Sequence, residues 1–526
     1  MGEQALTLGS MHGATSVGVH DTEPIPAQLP PAPPSHPRAR RLPRLGIAAA
    51  VALMAVLGGL AVLAAPPFAS ADEHAHADYG LTIYLEGHLP TLFDQVEPVF
   101  PLQQAKPQHV ANHPPLFYLL TGPLLALGVK SGHLVAGYLL ARAVSVLASM
   151  VTVALVAAFA HAVFRGRRPD VTIGAAALAA TYSFFVAVSG VLHNDALAVT
   201  FSTAVLLFTV LALRRGPTWP IVAGLALTAL AGTAVRASNA SLVVTACLAV
   251  LLASLVHAAP GDRWPAGVAR GLLRALVVGL TSVVGIGWFF LRNQRLYGNP
   301  LGYGVLEEVF GKTAPPQSLW MLRHPELLLR QVGLPQPATW LTPAGLLAVV
   351  PVLAAVAGAL LLLVRRRRGP RPDRAQRDAA TSARSGEATI RLALIGLFLV
   401  HALITVVMVI RHVDGGGGIH VRYLFPMLPI AATVAAAGLL RLPGGRRGLY
   451  VVLAVAAGIV STVQLVGLAA WRWESRQATG ATLEGIRSGL DHWGLPSVAV
   501  MIAVLVALAA ALGVIAAGLW RAGRPS

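Results

Sequence analysis

Arg38-Ala39-Arg40-Arg41-Leu42-Pro43-Arg44-Leu45 runs straight into Gly46-Ile47-Ala48-Ala49-Ala50-Val51-Ala52-Leu53-Met54-Ala55-Val56-Leu57-Gly58-Gly59-Leu60-Ala61-Val62-Leu63-Ala64-Ala65. The second stretch holds 20 residues without a charge or a hydrogen-bonding side chain. About 20 such residues in a helix cross the hydrocarbon of a bilayer. The arginines ahead of it mark the end that stays in the cytoplasm. Ala69-Ser70-Ala71 beyond the run resembles a leader-cleavage site. The basic region lies far from the N-terminus and the run is long enough to span, so an uncleaved anchor is expected.

Working outward, about eleven further runs of this kind follow, centred on Gly137–Ala160, Val171–Val191, Ala196–Leu213, Trp219–Val235, Ala240–His257, Leu272–Phe290, Leu341–Val364, Arg391–Ile410, Tyr423–Leu440, Leu449–Ala470 and Val498–Leu519. The fold class is therefore all-α, a polytopic integral membrane protein of about twelve transmembrane helices. Gly and Ala recur inside the runs, and small residues let helices pack closely in lipid. The expected organisation is a tail over 1–45 without helical periodicity, a bundle over 46–519 and a short tail over 520–526. Within the bundle, 66–134 is a long first outer loop with interfacial helices, 291–340 a second outer loop, and 365–390 an Arg-rich cytoplasmic loop.

The charge fits this organisation. The 526 residues carry a formal charge of +18, with 55% hydrophobic and only 12% charged residues. Such a composition excludes one large soluble globule. Arginines cluster in every second connection, which places both termini in the cytoplasm. On that topology the cytoplasmic side holds 26 arginines and eight acids, and the outer side 11 arginines, three lysines and 14 acids. The excess is thus a topology signal rather than a nucleic-acid footprint, and no nucleic-acid motif accompanies it. The single cysteine, Cys247, leaves no intrachain disulfide and no Cys-based metal site.

Chemistry is expected on the outer face, where the loops are long and polar. The first run ends in Asp72-Glu73-His74-Ala75-His76-Ala77-Asp78-Tyr79-Gly80. Successive residues on a helix point in different directions, so Asp72 and Glu73 do not share one task. One faces a cleft while the other holds a cap or a partner; a solvated, capped interfacial helix is the plainer alternative. Asp72 and His76 lie four apart, as do His74 and Asp78, so each pair shares a face. The acids and histidines also invite a metal. The spacing matches no zinc signature, whereas carboxylates such as Asp72 and Asp195 suit Mg or Mn, so a divalent cation stays open.

These residues resemble a known family. Asp72 to Tyr79, Glu86-Gly87-His88-Leu89-Pro90 and His113-Pro114-Pro115-Leu116-Phe117-Tyr118 resemble the first outer loop of polytopic glycosyltransferases of the C-type fold. That superfamily includes the protein O-mannosyltransferases and the aminoarabinose transferases of lipid A. His193-Asn194-Asp195-Ala196-Leu197, Arg292-Asn293 with Tyr297-Gly298-Asn299-Pro300-Leu301, and Arg422-Tyr423-Leu424-Phe425-Pro426 follow in matching order. The resemblance spans roughly Pro66 to Pro429.

It implies an enzyme that moves a sugar from a polyprenyl-phosphate donor to a hydroxyl of a glycan, lipid or protein acceptor at the extracytoplasmic surface. It also implies that the acidic pair is catalytic, with either Asp72 or Glu73 as base. Asn194 and Asp195 form a second acidic or acceptor site, or else a turn cap. Arg292, Arg422 and Arg295 are the donor-phosphate candidates, because a guanidinium pairs phosphate oxygens bidentately; Arg236 and Arg411 rank below Arg422 and Arg292. His76, Asp78 and His113 support the first loop. Arg142, inside an apolar run, should face the bundle interior and pair, and His401 is a packing residue. A transporter or flippase is the alternative, although it usually carries two similar halves and none are visible here. A ligase of lipid-linked glycans on another fold would carry its main loop later.

Overall fold

The computed structural model describes residues 37–68, 70, 72–258, 264–309, 356–357, 360, 374–414, 420–472, 477–478 and 482–522. Helix α1 (Pro37–Ala64) carries the first apolar run. The first outer loop folds into α2 (Glu73–Leu81), a π-helical turn (Thr82–Glu86) ended by Gly87 at φ 80°, and the apolar helix α3 (Leu116–Ser131). Pro115 stands at the N-cap of α3, where its missing N–H costs nothing. Then come α4 (Leu134–Val163), α5 (Pro169–Ala180), α6 (Ser183–Ser189), α7 (Asp195–Arg215), α8 (Trp219–Val235), α9 (Ser241–Val256), α10 (Trp264–Tyr297) and α11 (Tyr303–Val309). The last described portion holds α12 (Arg374–Asp414), a 3-10 segment (Val421–Met427), α13 (Leu428–Leu439), α14 (Gly445–Ala470), α15 (Leu483–His492) and α16 (Ser497–Arg521). Among the described residues one two-residue ladder pairs Trp471–Arg472 with Gln477–Ala478.

The chain is thus an all-α, multi-pass membrane protein. Among the described residues nine helical segments are long and apolar enough to cross a membrane, and α5 with α6, bent by 59°, makes a tenth. The expectation of about twelve differs at two runs. Trp219–Val235 forms a helix of only 17 residues, short of the usual span length. Leu341–Val364 lies outside the described residues apart from 356, 357 and 360. Three boundaries also move. Helix α1 begins at Pro37, inside the stretch expected as a disordered tail over 1–45. Helix α10 runs on to Tyr297, so Arg292 and Arg295 sit on its last turns rather than in a loop. Helix α12 begins at Arg374, inside the stretch expected as an Arg-rich loop.

Among the described residues three large apolar cores, with smaller ones beside them, hold the bundle. One joins α1, α4, α5, α13, α14 and α16. A second joins α2, α3, α4 and α7, and seats the first outer loop on the bundle. The third joins α7, α8, α9, α10 and α12. The docking of α2 on α3 depends on two glycines: a Cβ on Gly122 would meet the Gly80 carbonyl oxygen at 2.7 Å and the Tyr84 ring at 2.5 Å. Any larger residue at Gly122 would push α2, and the acidic residue at its start, away from the bundle.

Alternation along the chain brings like connections together. At one end the connections after α1, α6 and α8 converge with the start of the Val421–Met427 segment. At the other end Arg165 after α4 and Arg214 in the last turn of α7 both reach Glu387 on α12, at 3.1 Å and 2.7 Å.

Candidate active site

Asp72 and Glu73 are adjacent and face different surroundings. Glu73 is fully buried. Its Oε1 accepts from Tyr138 Oη at 3.0 Å, Arg142 Nε at 3.0 Å and the Leu192 amide at 2.8 Å, and its Oε2 accepts from Arg142 Nη2 at 2.9 Å. Arg142 is fully buried as well and spends its remaining donors on the carbonyls of Val62, Ala65 and Pro66. Those are the orphan acceptors at the C-terminus of α1, where a cation is favoured. The pair therefore ties α1, α2, α4 and the connection after α6 into one joint. The expectation that Arg142 faces inward and pairs matches this geometry.

Asp72 stands at the N-cap of α2 but makes no capping bond with its side chain. It lines a cavity of about 350 Å³ instead, together with His76, His109, His113, His193, Asp195, Arg236 and Arg422. Its Oδ2 accepts from Arg422 Nη2 at 2.9 Å and lies 3.1 Å from His193 Nε2, while its Oδ1 lies 3.3 Å from His109 Nε2. Burial alone would raise the Asp72 pKa. The bonds to His109 and His193 and the charge of Arg422 outweigh it and hold the carboxyl well below the usual carboxylate range.

His193 links the two acids of the cavity. Its Nδ1 receives the Asp195 amide at 3.2 Å and lies 3.2 Å from Asp195 Oδ2. The contacts serve either tautomer: with its proton on Nε2 the ring donates to Asp72 and Nδ1 accepts the amide, and with its proton on Nδ1 it donates to Asp195 and Nε2 accepts from Arg422. Arg422 Nη1 closes on the same Nε2 at 2.8 Å. Burial, helped by the charge of Arg422, pushes the His193 pKa down to about 4. Asp195 pairs through Oδ1 with Arg236 Nη1, and Arg422 Nε stands 3.5 Å from its Oδ2. Both guanidiniums rest on the Tyr423 ring, Arg236 at 5.3 Å and Arg422 at 5.4 Å from its centre.

The remaining candidates divide. His76 and His113 line the cavity, and His76 does so on the face it shares with Asp72. His74 and Asp78 face the other way, into the first loop: His74 Nδ1 accepts the Gln104 amide at 2.9 Å, and Asp78 accepts from the Glu97 amide at 3.0 Å and Gln108 Nε2 at 2.6 Å. Burial raises the Asp78 pKa to about 6. Asn194 is buried beside the cavity with its Nδ2 on the Val235 carbonyl. Arg292 does not reach the cavity; its Nη2 donates to the carbonyls of Leu89 and Pro90. Asn293 and Tyr297, also on α10, bind Asn112 and Leu92, so this helix end clamps the first loop. Arg295 is exposed. Buried His401 bonds Thr245 within the bundle.

Arg236 and His193 are the residues that sequence reasoning undervalued. Arg236 stands alone between two apolar runs, a position that forces a charge inward, and that was the available signal. A divalent ion does not fit the donors as they stand. Asp72 and Asp195 are each engaged by a guanidinium, and a dication there would meet two positive charges at contact distance. Among the described residues no group of three or more His, Cys, Asp or Glu side chains converges as metal ligands do.

No protein-family model and no curated protein matches the chain. Solved structures do match the chain, at low sequence identity. ArnT from Cupriavidus metallidurans, in a crystal structure bound to undecaprenyl phosphate, superposes with a TM-score of 0.49 at 13% identity, over 91% of this chain and 75% of that one. The Archaeoglobus fulgidus oligosaccharyltransferase, in complex with Zn and sulfate, gives 0.39 at 13% identity over 83% of this chain and 54% of its own. AglB from the same organism, with an inhibitory peptide and a dolichol-phosphate, gives 0.40 at 14% identity, over 85% of this chain and 59% of that one.

Proposed function

We propose that the protein is an integral-membrane glycosyltransferase that moves a sugar from a polyprenyl-phosphate donor to an acceptor hydroxyl on the extracytoplasmic side of the cell membrane. The carrying observation is one cavity in which the Asp72 carboxylate stands against two guanidiniums, Arg422 and Arg236, at one end of a bundle of membrane-spanning helices. A hydroxyl that attacks an anomeric carbon must lose a proton, and the bond to phosphate must break with its electron pair leaving on oxygen. Asp72 accepts the proton as the new C–O bond forms. Its own pKa is too low to keep that proton, and His193, in the tautomer with its proton on Nδ1, takes it on Nε2, 3.1 Å away. The departing lipid phosphate gains negative charge, which Arg422 and Arg236 meet without reorganisation. Glu73 takes no part in the chemistry; with Arg142 it fixes the backbone from which Asp72 projects.

The test uses the full chain in lipid nanodiscs with undecaprenyl-phosphate-linked sugars, measuring release of undecaprenyl phosphate against time. Asp72→Asn should lower turnover by about 10²–10⁴-fold, the usual worth of a general base. Turnover equal to wild type in Asp72→Asn would remove the assignment. Lipid moved between leaflets with no glycosyl bond broken would favour a flippase instead.

A further inference from the structure

Two histidines of the cavity keep a ring nitrogen with no partner. His76 is 1% exposed, and its Nδ1 is held by the Tyr118 hydroxyl at 3.0 Å. Either the phenol or Nδ1 can be the donor of that bond, so Nε2 can carry a proton or a lone pair. That Nε2 is buried and unbonded among the described residues, as is His113 Nδ1. The His76 ring is fixed by stacking on Tyr118 and by the edge of His193 at 4.4 Å. Buried polar atoms in a folded protein are nearly always paired, so two unpaired ring nitrogens in one cavity wall mark places that a ligand fills.

We propose that His76 and His113 form the sugar-reading wall of this cavity and that the sugar they read is a single uncharged monosaccharide, not an amino sugar or a uronic acid. The proposal rests on the glycosyltransferase reading above and names its substrate class. A sugar hydroxyl both donates and accepts, so it satisfies a neutral ring nitrogen in either tautomer. An ammonium group only donates, so it satisfies Nε2 in just one of the two tautomers. The charge inventory points the same way. The acids of the wall are Asp72 and Asp195, and each already holds an arginine, so an ammonium finds no free carboxylate. The two arginines are likewise the groups available for the donor phosphate, so a uronate would compete with it. Burial holds the His76 and His113 pKa values well below the usual range, which keeps both rings neutral. A cavity of about 350 Å³ is at the small end for ligand sites, which suits one ring and a phosphate rather than an oligosaccharide.

The test compares binding of undecaprenyl phosphate alone with its conjugates to mannose, to 4-amino-4-deoxyarabinose and to glucuronic acid, using the full chain in nanodiscs. Expected is a mannose conjugate bound about tenfold tighter than either charged one, the worth of one or two hydrogen bonds. His76→Phe should erase most of the gain that mannose adds over the bare lipid, and His76→Gln, which keeps an amide donor, should restore part of it. Melting temperature checks that each variant is folded. An amino or uronic conjugate bound as tightly as the mannose conjugate overturns the substrate class while leaving the transferase reading in place. A mannose gain unchanged in His76→Phe overturns the role of the histidine wall. If no sugar adds anything to binding of the bare lipid phosphate, the transferase reading itself fails and the proposal falls with it.

Discussion

Glu73→Gln separates scaffold from chemistry. The carboxylate it neutralises is wholly buried and faces an equally buried Arg142 at 2.9 Å. Removing one partner of a buried ion pair costs about 3–5 kcal/mol, because the other charge is left without compensation. The loss should fall at the lower end in Glu73→Gln, since Arg142 keeps the carbonyls of Val62, Ala65 and Pro66. Arg142→Met strips those carbonyls too and should sit at the upper end. At about 2 °C per kcal/mol for a large chain, the two variants lower the unfolding midpoint by roughly 6–10 °C. The double variant carries no unpaired charge and should lose less than the two single losses added together, with a coupling of about 3 kcal/mol or less. Tryptophan fluorescence during heating in detergent gives the midpoints, and undecaprenyl phosphate release gives activity on the same samples. A Glu73→Gln protein with an unchanged midpoint and abolished turnover would refute the reasoning and make Glu73 the base.

Three further outcomes are expected. Asp72→Asn should keep its midpoint within a few degrees while turnover collapses, since its carboxylate sits in a part-exposed polar cluster rather than in a core. Turnover should be flat through neutral pH and fall as pH drops toward about 4, where His193 takes a proton in the resting protein. Arg422→Gln removes a charge that suppresses this protonation, so the acid limb should move to higher pH while the maximal rate drops by about 10²–10³-fold; a limb that stays in place would remove His193 from the reaction. Asp78, with its pKa raised to about 6, favours the folded state in its protonated form. Its contribution is complete below about pH 4 and is lost as pH rises through about 6, so wild type should be more stable at pH 5 than at pH 7.5, by about 1.4 kcal/mol. Asp78→Asn should flatten that dependence.

Much of the bundle was legible because lipid imposes a simple rule: long apolar runs must be helices. Nine runs and one bent pair follow it among the described residues. The places where the reading slipped have physical causes. Helix α10 outruns its apolar stretch because its last turns are amphipathic, with Arg292, Asn293 and Tyr297 hydrogen-bonded to the first loop rather than solvated. Composition sees polar residues there and ends the helix early. The four-residue spacing in the acidic motif puts Asp72 and His76 on the cavity and His74 and Asp78 on the loop. Arg236 ranks low on sequence alone, because its partner Asp195 lies 41 residues away and no local pattern joins them.

The acidic pair shows why neighbouring residues had to take unlike roles. Asp72 closes the N-terminus of α2 and Glu73 opens its first turn, so their side chains leave the helix in different directions. One direction leads to the cavity. The other leads into the joint between α1 and α4, where water is absent and only a full set of donors makes a carboxylate tolerable. Arg142 supplies two of those donors, and Tyr138 and the Leu192 amide supply the rest. The Leu192 amide lies in the same connection as His193 and Asp195. A single buried carboxylate therefore fixes both sides of the cavity, the start of α2 that carries Asp72 and the connection that carries His193. Loosening Glu73 should then reach turnover indirectly, through the 3.1 Å contact between Asp72 and His193. The sign of that coupling is testable: second-site variants that restore the Glu73→Gln midpoint should restore turnover in proportion, whereas none that stabilise Asp72→Asn should restore any.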